Sequence, residues 1–386
     1  MREVFLSEPV CDPRLFAAVT GGITGGITGG IGGGTDPGER IAATLGDHAI
    51  AAARDGIGLA PTRRPGAHAR GFVLDLDRPA RERLDFFMAA IGAAPLVAGV
   101  QAEGRRRIVD TYVLPAAAAS RDWTRADWDG EWHDLVCEAA EEIARLRGRH
   151  AAADMPALLP GIAFRALARA RGRARRTPVT LRSEFGPGDV EVLSRDPVYT
   201  NYFAVEEYAL RFRRYDGGFS PVVDRAVFVS GDAVTVLPYD PKRDLVMLVE
   251  QFRSGPLGRG DPNPWCLEVI AGRCDPMETP EATARREASE EAGLTLGRIE
   301  RIGSYYSSVG VLAEHLEAYV GEADLSEAGG TFGLDSEAED IRSLVVPLRT
   351  ALDAVANGEV SNAPAIIALL WLEKHAGRLR RDWGAA

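Results

Sequence analysis

The sequence contains little cysteine or histidine, and neither residue follows a recognisable pattern. Its 386 residues include four cysteines, and Cys11, Cys137, Cys266 and Cys274 are too scattered for a disulfide framework or a zinc knuckle. The six histidines show no H-x3-H or H-E-x-x-H spacing, and single histidines are usually structural or surface residues. We therefore expect a reduced, cytoplasmic protein whose chemistry does not depend on histidine.

Long hydrophobic runs and an excess of positive charge are also lacking. The longest largely apolar stretch, residues 86–100, is shorter than a membrane span and contains glycine and proline. The first ten residues, MREVFLSEPV, have no apolar core of signal-peptide length. The net charge of -11 argues against a nucleic-acid partner, because phosphate contacts need clustered positive charge. We expect neither a membrane segment nor nucleic-acid binding.

What is present is enough apolar sequence for two compact domains, since 46% of the residues are hydrophobic. Residues 1–150 mix strands with alanine-rich helical stretches, 151–185 form a basic helix and linker, and 186–386 alternate β patterns with helices. The last segment predicts strands at 226–229, 233–237 and 245–252, with the turn YDPKRD between the last two. Helices predicted at 280–292 and 363–375 complete the pattern of an α/β sandwich.

Two segments allow two interpretations each. Residues 20–35 read TGGITGGITGGIGGGT, which suggests a phosphate loop but lacks its Lys-Ser/Thr ending, so we favour a flexible surface loop. The basic helix suggests contact with RNA or a membrane, but a solvated helix that closes the first domain fits better. Its arginines are Arg165, Arg169, Arg171, Arg173, Arg175 and Arg176.

Three glutamates cluster on the predicted helix at 280–292. Glu287, Glu290 and Glu291 stand at i, i+3 and i+4, so their carboxylates share one face. Adjacent anions destabilise an isolated helix unless hard divalent cations such as Mg²⁺ bind among them. Arg286 adjoins the cluster and is placed to orient one carboxylate. An ordinary exposed acidic helix is the alternative when such glutamates occur alone.

The spacing around these acids is more specific than the acids themselves. From Gly272 to Leu294 the chain reads G-x5-E-x7-R-E-x-x-E-E-x-G-L, where Gly272 is expected to turn the chain and Gly293 to end the helix. This stretch resembles the Nudix box at every fixed position. Residues from about 189 to 379 resemble the ADP-ribose pyrophosphatase branch of that family, in VEQFR at 249–253, PWCLEVIAG at 264–272 and GLDSEAEDI at 333–341. The resemblance implies an α/β/α sandwich with a mixed sheet.

The resemblance to the Nudix family also implies a metal site. Glu287 and Glu291 would bind Mg²⁺, or Mn²⁺ in its place, together with the backbone carbonyl of Ala271. Glu290 would be a further ligand or a catalytic helper, with Arg286 beside it.

The general base would come from the acidic loop SEAED, at 336–340. Glu337 and Glu339 occupy the matching places, one as base and the other as an additional metal ligand. We favour Glu337 as the base. With ADP-ribose as substrate the products would be AMP and ribose 5-phosphate, and no redox cofactor would be needed.

The resemblance further implies how a small nucleotide would be bound. Arg253 would contact phosphate, and a surface arginine after a strand is its alternative. Phe203 and Arg225 would grip the adenine end, which in this branch involves both subunits of a swapped homodimer, although Phe203 alone also fits a core position. Glu314 matches the branch, but Val309 replaces a proline that the branch usually carries. ADP-glucose, GDP-mannose or another nucleoside diphosphate sugar therefore stays open as the substrate.

A function of another class is a Nudix-fold ligand sensor. Such sensors tend to lose box carboxylates and gain a DNA-binding domain. This chain keeps every box carboxylate and has no evident helix-turn-helix, so we favour the enzyme.

The first segment resembles gamma-glutamyl cyclotransferase-like domains, which are small mixed β-barrels with helices. The resemblance lies in VFLSEPVCDPRL at 4–15, GIGLAP at 56–61, GFVLDL at 71–76 and RLDFF at 83–87. SEPV at 7–10 replaces the substrate loop, and Met88 stands where the catalytic glutamate is expected. We expect a fold without cyclotransferase activity, used for binding or assembly. The two-part build is similar to tellurite-resistance ADP-ribose pyrophosphatases, but no residue here explains the handling of tellurium oxyanions.

Overall fold

The computed structural model describes residues 2–21, 40–53, 55–334 and 339–384, so most of the glycine-rich insert lies outside the described residues. The chain divides into two compact units. The first comprises Met1–Gly231 with Val311–Ala313, and the second comprises Asp232–Gly310 with Glu314–Ala386.

The first unit begins with six strands and five helices within the described residues. The strands are β1 (Val4–Ser7), β2 (Ile41–Ala53), β3 (Leu59–Leu74), β4 (Ala94–Ala102), β5 (Arg105–Val113) and β6 (Ala119–Asp122). The helices are α1 (Pro13–Thr20), α2 (Arg78–Ala90), α3 (Arg125–Trp128), α4 (Glu131–Leu146) and α5 (Leu159–Ala174).

Five of these strands close into a barrel. They pair in the order β3-β1-β5-β4-β2, and β2 also pairs with β3, while β6 extends from β2. The β1–β5 pair is parallel and the other pairs of the barrel are antiparallel. Buried side chains that include Phe5, Leu45, Val73, Val100 and Val109 form one core cluster. The small mixed barrel with helices that was predicted for this region is confirmed.

A second sheet follows in the same unit. It consists of β7 (Val190–Thr200), β8 (Ala204–Phe212), β9 (Val223–Val229) and β15 (Leu312–Ala313), in the order β15-β9-β8-β7. The sequence-based domain division, with borders near residues 150 and 186, stays a prediction. It groups β7, β8 and β9 with the C-terminal domain, whereas they belong to the first compact unit.

Buried ion pairs join α4, α5 and the β7–β8 hairpin. Arg165 is fully buried and donates to Glu142 Oε1 at 2.6 Å and to the carbonyl of Tyr202 at 3.0 Å. Arg169 contacts Glu142 and donates to Glu206 Oε1 at 2.7 Å. The expectation of a solvated helix is therefore wrong for Arg165 and Arg169, because their countercharges come from distant parts of the chain.

The second unit contains eight strands and four helices within the described residues. The strands are β10 (Ala233–Asp240), β11 (Leu245–Phe252), β12 (Trp265–Glu268), β13 (Ile270–Arg273), β14 (Ile299–Tyr306), β16 (His315–Glu322), β17 (Gly330–Phe332) and β18 (Ile341–Pro347). The helices are α6 (Ser254–Arg259), α7 (Pro280–Ala292), α8 (Leu348–Asn357) and α9 (Ala363–Gly384).

These strands form one mixed sheet between helices. Its main path is β14-β16-β10-β11-β18-β17, with β12 on β11 and β13 on β10, and the β10–β16 pair is parallel. Leu237 and Leu248 belong to the core under α8 and α9. Val236 and Val249, which are the neighbours of Leu237 and Leu248 along the strands, are also buried. Because successive side chains of a strand point to opposite faces of the sheet, these two valines lie on the other face, which α7 covers. The predicted α/β sandwich is confirmed.

The predicted local elements are confirmed, and three of them are longer than predicted: β9, β10 and α9. β10 and β11 form the antiparallel hairpin around residues 239–246. The helix predicted at 363–375 continues to Gly384, because Ala376, Leu379 and Trp383 continue its apolar face into the core. Within the described residues, no helix combines the length and apolar character needed to cross a membrane.

Candidate active site

The acidic helix of the site is α7, and local signals determine both of its ends. The hydroxyl of Thr279 accepts a hydrogen bond from the amide of Ala282 at 3.2 Å, as an N-cap does. Gly293 follows the helix with φ 62° and ψ 22°, the left-handed conformation that ends helices at glycine. The helix therefore spans Pro280–Ala292, as predicted.

Arg286 is the centre of a hydrogen-bond network on this helix. Its Nη1 donates to Glu287 Oε1 at 2.7 Å and to Glu290 Oε2 at 2.9 Å. Its Nε and Nη2 donate to the two carboxylate oxygens of Glu278, at 3.2 and 3.0 Å. Nη2 also donates to the backbone carbonyl of Arg273 at 3.0 Å. The sequence predicted that Arg286 orients one carboxylate, and it contacts three.

The surroundings of Glu287 and Glu291 do not stabilise their ionised forms. Burial raises the pKa of Glu291 to about 8, and repulsion by Glu287 adds to it, against a hydrogen bond from the amide of Ala271 at 3.2 Å. Burial likewise raises the pKa of Glu287 to about 7, against the attraction of Arg286. A divalent cation between these carboxylates would stabilise their ionised forms.

Gly272 lies inside β13, and the tight turn predicted for it is wrong. It is absent from the described glycines with positive φ. A Cβ at this position would lie 1.8 Å from Oε1 of Glu287. Glycine is therefore needed here because the carboxylate approaches the backbone closely.

The pKa of Glu278 is shifted in the direction opposite to the pKa values of Glu287 and Glu291. Burial opposes its ionisation, but hydrogen bonds from Arg286 and from the hydroxyl of Thr283, at 2.8 Å, outweigh burial and lower its pKa. An ionised Glu278 thus positions Arg286 against the other carboxylates.

Arg253 lies immediately after β11 and forms a bidentate ion pair. Its Nε and Nη2 donate to the two oxygens of Glu268, at 2.9 and 2.8 Å. Burial lowers the pKa of Arg253, but attraction by Glu268, Glu291 and Glu339 raises it overall. Arg253 is therefore next to the acidic cluster and still 42% exposed, as a phosphate-binding arginine needs to be. That role stays a prediction.

The acidic loop is described in part. Glu339 accepts a hydrogen bond from the amide of Leu334 at 3.3 Å, and its charge helps to raise the pKa values of Glu287 and Glu291. It therefore belongs to the cluster. Glu337, the favoured base, lies among residues 335–338, outside the described residues.

Phe203 and Arg225 belong to the first unit. Phe203 precedes β8 and packs on Tyr202 and Phe228, with ring centroids 4.9 and 4.8 Å apart. Arg225 is exposed on β9, opposite Tyr208 of β8. Both residues thus lie on or next to the strands β8 and β9, and their contact with adenine stays a prediction.

Glu314 and Val309 lie in the segment between β14 and β16. Glu314 Oε2 accepts a hydrogen bond from the hydroxyl of Ser307 at 2.5 Å. Val309 is 84% exposed, so the residue that replaces the expected proline is not part of the core.

Comparison with known proteins agrees with this geometry. Residues 229–366 match the family model described as NUDIX domain. The ADP-ribose pyrophosphatase of Escherichia coli is 40% identical over 206 residues, which is 53% of this chain and 98% of that protein. This chain belongs to the Nudix family.

Other relatives point the same way within the Nudix family. The ADP-ribose pyrophosphatase of Haemophilus influenzae is 35% identical over 201 residues, covering 52% of this chain and 93% of that protein. The GDP-mannose pyrophosphatase of an Enterobacter species is 30% identical over 189 residues, covering 48% and 95%. A solved structure described as an ADP compounds hydrolase covers 50% of this chain and 97% of that one, with a TM-score of 0.40 and 20% identity, too low to support an argument.

Two residues of the Nudix site were missed by sequence reasoning. Glu278 was one of the fixed positions of the box, so the signal for it was present. Glu268 lies in the matching stretch PWCLEVIAG, but its pairing with Arg253 joins two strands and becomes visible only in the sheet, where Glu268 lies opposite Val249.

Proposed function

We propose that this Nudix protein hydrolyses the pyrophosphate bond of ADP-ribose, giving AMP and ribose 5-phosphate, with Mg²⁺ as cofactor. The observation that carries the proposal is the pair Glu287 and Glu291, which is buried without enough positive charge around it. A structural ion pair would include its own countercharge. A pair whose contact with Arg286, at Glu287, does not offset both charges is suited to a divalent cation and an anionic substrate.

The donor set fits Mg²⁺ or Mn²⁺. Glu287, Glu290, Glu291 and Glu339 offer carboxylate oxygens, and Ala271 would add a backbone carbonyl. Oxygen ligands of this kind are those that hard divalent cations prefer. The missing Cβ of Gly272 supports the fit, because it leaves the space that Glu287 occupies.

The residues of the site then have separate roles in the reaction. When bound, Mg²⁺ would offset the charge of the diphosphate and lower the pKa of a water molecule. Glu337 or Glu339 takes the proton of the attacking water molecule, whose oxygen forms a bond to one phosphorus of the substrate while the bridging P–O bond breaks. Arg253 stabilises the charge on the departing phosphate. Arg286 keeps Glu287 and Glu290 in place throughout.

ADP-ribose is proposed over other substrates because the relatives of 40% and 35% identity are ADP-ribose pyrophosphatases. Phe203, Arg225 and Glu314 are proposed to bind the nucleotide, in a homodimer in the cytoplasm. GDP-mannose is the second candidate, because a GDP-mannose pyrophosphatase is 30% identical and Val309 departs from the branch.

The test is turnover of a substrate panel by the full chain with Mg²⁺. The panel is ADP-ribose, ADP-glucose, GDP-mannose, NADH and a dinucleoside polyphosphate, with release of nucleoside monophosphate as the readout. We expect the highest kcat/KM with ADP-ribose. A higher value with another substrate would change the substrate and leave the mechanism in place. Absence of turnover with all of them would instead favour a ligand sensor.

The choice of base has its own test. Glu337→Gln and Glu339→Gln are compared by their pH–rate profiles and by the Mg²⁺ concentration that gives half-maximal rate. Loss of the base lowers kcat by ~100-fold or more with little change in the Mg²⁺ requirement, whereas loss of a metal ligand raises that requirement. We expect the first result for Glu337. The reverse assignment would make Glu339 the base.

The barrel of the first unit, with its helices, is proposed to retain a gamma-glutamyl cyclotransferase-like fold without cyclotransferase activity. Met88 is 2% exposed on α2 and offers no proton. Glu82, nearby in sequence, bonds Arg78 at the surface at 2.9 Å. Pro9 and Val10, in the place of the substrate loop, are buried in a short 3-10 helix, Glu8–Cys11. Adding a glutamyl peptide should yield no 5-oxoproline.

A further inference from the structure

A group of potential metal ligands lies in the first unit, remote in sequence from the Nudix box. Asp12 precedes α1, and His133 and Cys137 lie one turn apart on α4. His133 Nε2 is 3.1 Å from Asp12 Oδ1 and 3.6 Å from Cys137 Sγ. One ligand atom of each residue lies within 4.8 Å of the others. This H-x3-C arrangement follows neither the histidine-pair spacings nor the cysteine pattern of a zinc knuckle, so the sequence did not predict it.

We propose that Asp12, His133 and Cys137 bind a thiophilic divalent ion of the Zn²⁺ class, at a site independent of the Nudix centre. The separation of the His133 and Cys137 ligand atoms is that of a tetrahedral site. Bond lengths of about 2.05 Å to nitrogen and about 2.3 Å to sulfur place the two atoms about 3.6 Å apart at a tetrahedral angle. The observed separation of His133 Nε2 and Cys137 Sγ is 3.6 Å.

The surroundings of His133 resemble the outer shell of a metal-binding histidine. Its Nδ1 lies 3.3 Å from Asp134 Oδ1, and Arg14 Nη1 donates to the same carboxylate oxygen at 3.0 Å. Such a carboxylate holds the imidazole in the tautomer that leaves Nε2 free for the ion. The ring of Trp128 packs against His133 edge to face at 5.3 Å and fixes its orientation.

A hydrogen-bond network without metal satisfies both contacts only when the imidazole carries two N–H groups, as it does in its protonated form. A neutral imidazole has one N–H, yet both ring nitrogens of His133 face carboxylate oxygens, of Asp12 and Asp134. Only one of these contacts is then a hydrogen bond. With an ion on Nε2, the N–H at Nδ1 donates to Asp134, and Asp12 and Cys137 both become ligands.

Charge and access are compatible with an ion. Arg14 is close, but it bonds three carboxylates, those of Asp134, Glu138 and Glu141, so the region keeps negative charge. Cys137 is fully buried, whereas the side chains of Asp12 and His133 are 18% and 24% exposed. The site is therefore reachable from solvent, which would supply a water molecule as the fourth ligand.

The ligand chemistry separates this site from the acidic cluster of the second unit. Nitrogen and sulfur ligands select Zn²⁺ and similar ions, whereas oxygen ligands suit Mg²⁺. The chain would then hold two metals of different classes. Binding would join α1 to α4, which are 121 residues apart at Asp12 and His133, and would stabilise the first unit.

The test uses Co²⁺ as a spectroscopic probe on the full chain, stripped with chelator and kept in excess Mg²⁺. A thiolate on Co²⁺ gives a charge-transfer band in the near ultraviolet that oxygen ligands do not give. We expect one equivalent of Co²⁺ to produce the band, and Zn²⁺ to displace it. Cys137→Ser should lose the band, whereas Cys266→Ser, on β12 in the second unit, should keep it.

Two further variants separate metal binding from simple folding defects. Asp134→Asn should keep the band but weaken Co²⁺ affinity by about 10- to 100-fold, as loss of an outer-shell partner does. Asp12→Asn keeps an N-cap for α1 and should also weaken affinity. The proposal is overturned if the folded wild type gives no thiolate band, if the band survives in Cys137→Ser, or if neither aspartate variant changes affinity.

Discussion

Glu206 in the first unit and Glu291 in the second are equally buried, each 3% exposed, yet their pKa values shift in opposite directions. Burial favours the neutral form of both. At Glu206 the ion pairs with Arg169 and Arg195 and the hydroxyl of Tyr208 outweigh burial and lower the pKa to about 2. At Glu291 burial and the neighbouring Glu287 raise the pKa to about 8. The partners, rather than burial, decide whether a buried carboxylate is structural or available for a ligand.

The same contrast holds for the arginines of the two regions. Arg165 and Arg169 each bond Glu142 within the fold, and the network is close to neutral. Arg286 is shared among three carboxylates, and negative charge remains. The charges of the first region are nearly balanced within the fold, whereas those of the second are not.

The largest expected effect is on catalysis, from Glu291→Gln. It removes a predicted metal ligand, so kcat with ADP-ribose and Mg²⁺ should fall by about 1000-fold. Glu281→Gln is the matched control on the same helix, because Glu281 is exposed and pairs only with Arg285 among the ion pairs of the described residues. Its rate should stay within about twofold. Equal loss in both variants would contradict a special role for Glu291.

A large loss of stability is expected from Arg165→Met in the first unit. It leaves Glu142 with one fewer countercharge and removes two hydrogen bonds to the carbonyls of Asn201 and Tyr202. The free energy of unfolding should fall by about 3 to 5 kcal/mol, measured by urea denaturation.

The control for this stability prediction is Arg171→Met on the same helix. Arg171 pairs with the more exposed Glu131 and should cost about 1 kcal/mol or less. Comparable losses would mean that the buried network has no special weight.

Smaller, opposite pH effects are expected from the two regions. The folded pKa values of Glu287 and Glu291 are raised to about 7 and about 8, so the folded state binds more protons than the unfolded state. Stability of metal-free protein should therefore fall as pH rises from about 5 to about 8. Mg²⁺ should cancel the fall. The pKa of Glu206 is lowered, so its contribution is lost only as pH falls toward about 2.

Thermal unfolding against pH, with Mg²⁺ and with chelator, measures this prediction. Glu291→Gln should flatten the metal-free profile. A profile that rises between pH 5 and 8 without Mg²⁺ would show that the buried pair is compensated after all.

The smallest effect is expected from Val309→Pro. Because Val309 is 84% exposed, the change should alter kcat/KM for ADP-ribose by about twofold at most. The ratio of kcat/KM between ADP-ribose and GDP-mannose, measured in both proteins, tests this. A tenfold change in that ratio would make the loop a determinant of specificity.

Helix caps and strand patterns in the sequence predicted the positions of several helices and strands. Thr279 and Gly293 mark the two ends of α7, and the β pattern at 245–252 predicted β11. Helix capping and strand patterns are properties of neighbouring residues, so both are visible in the sequence. The burial of Arg165 was not predictable in this way, since its partner Glu142 lies 23 residues away. Gly272 was predicted at a turn, although its role depends on Glu287, a residue of another element.

The site was predictable to the same extent. The box spacing located the carboxylates, but the pairing of Arg253 with Glu268 and the group of Asp12, His133 and Cys137 require the folded chain. Contacts between distant segments leave no fixed spacing in the sequence, so pattern reasoning does not detect them.

The buried network also determines where the chain can be divided. A fragment beginning at residue 186 would keep Glu206 and Arg195 but lose Arg169. Glu206, in the β7–β8 hairpin, would then lack one of its arginine partners. The carbonyls of Asn201 and Tyr202 would lose Arg165 as well. A cut after Gly231 separates no member of this network, although Val311–Ala313 of the first unit would remain with the C-terminal fragment. A fragment that includes β7 and β8 should therefore also include α4 and α5.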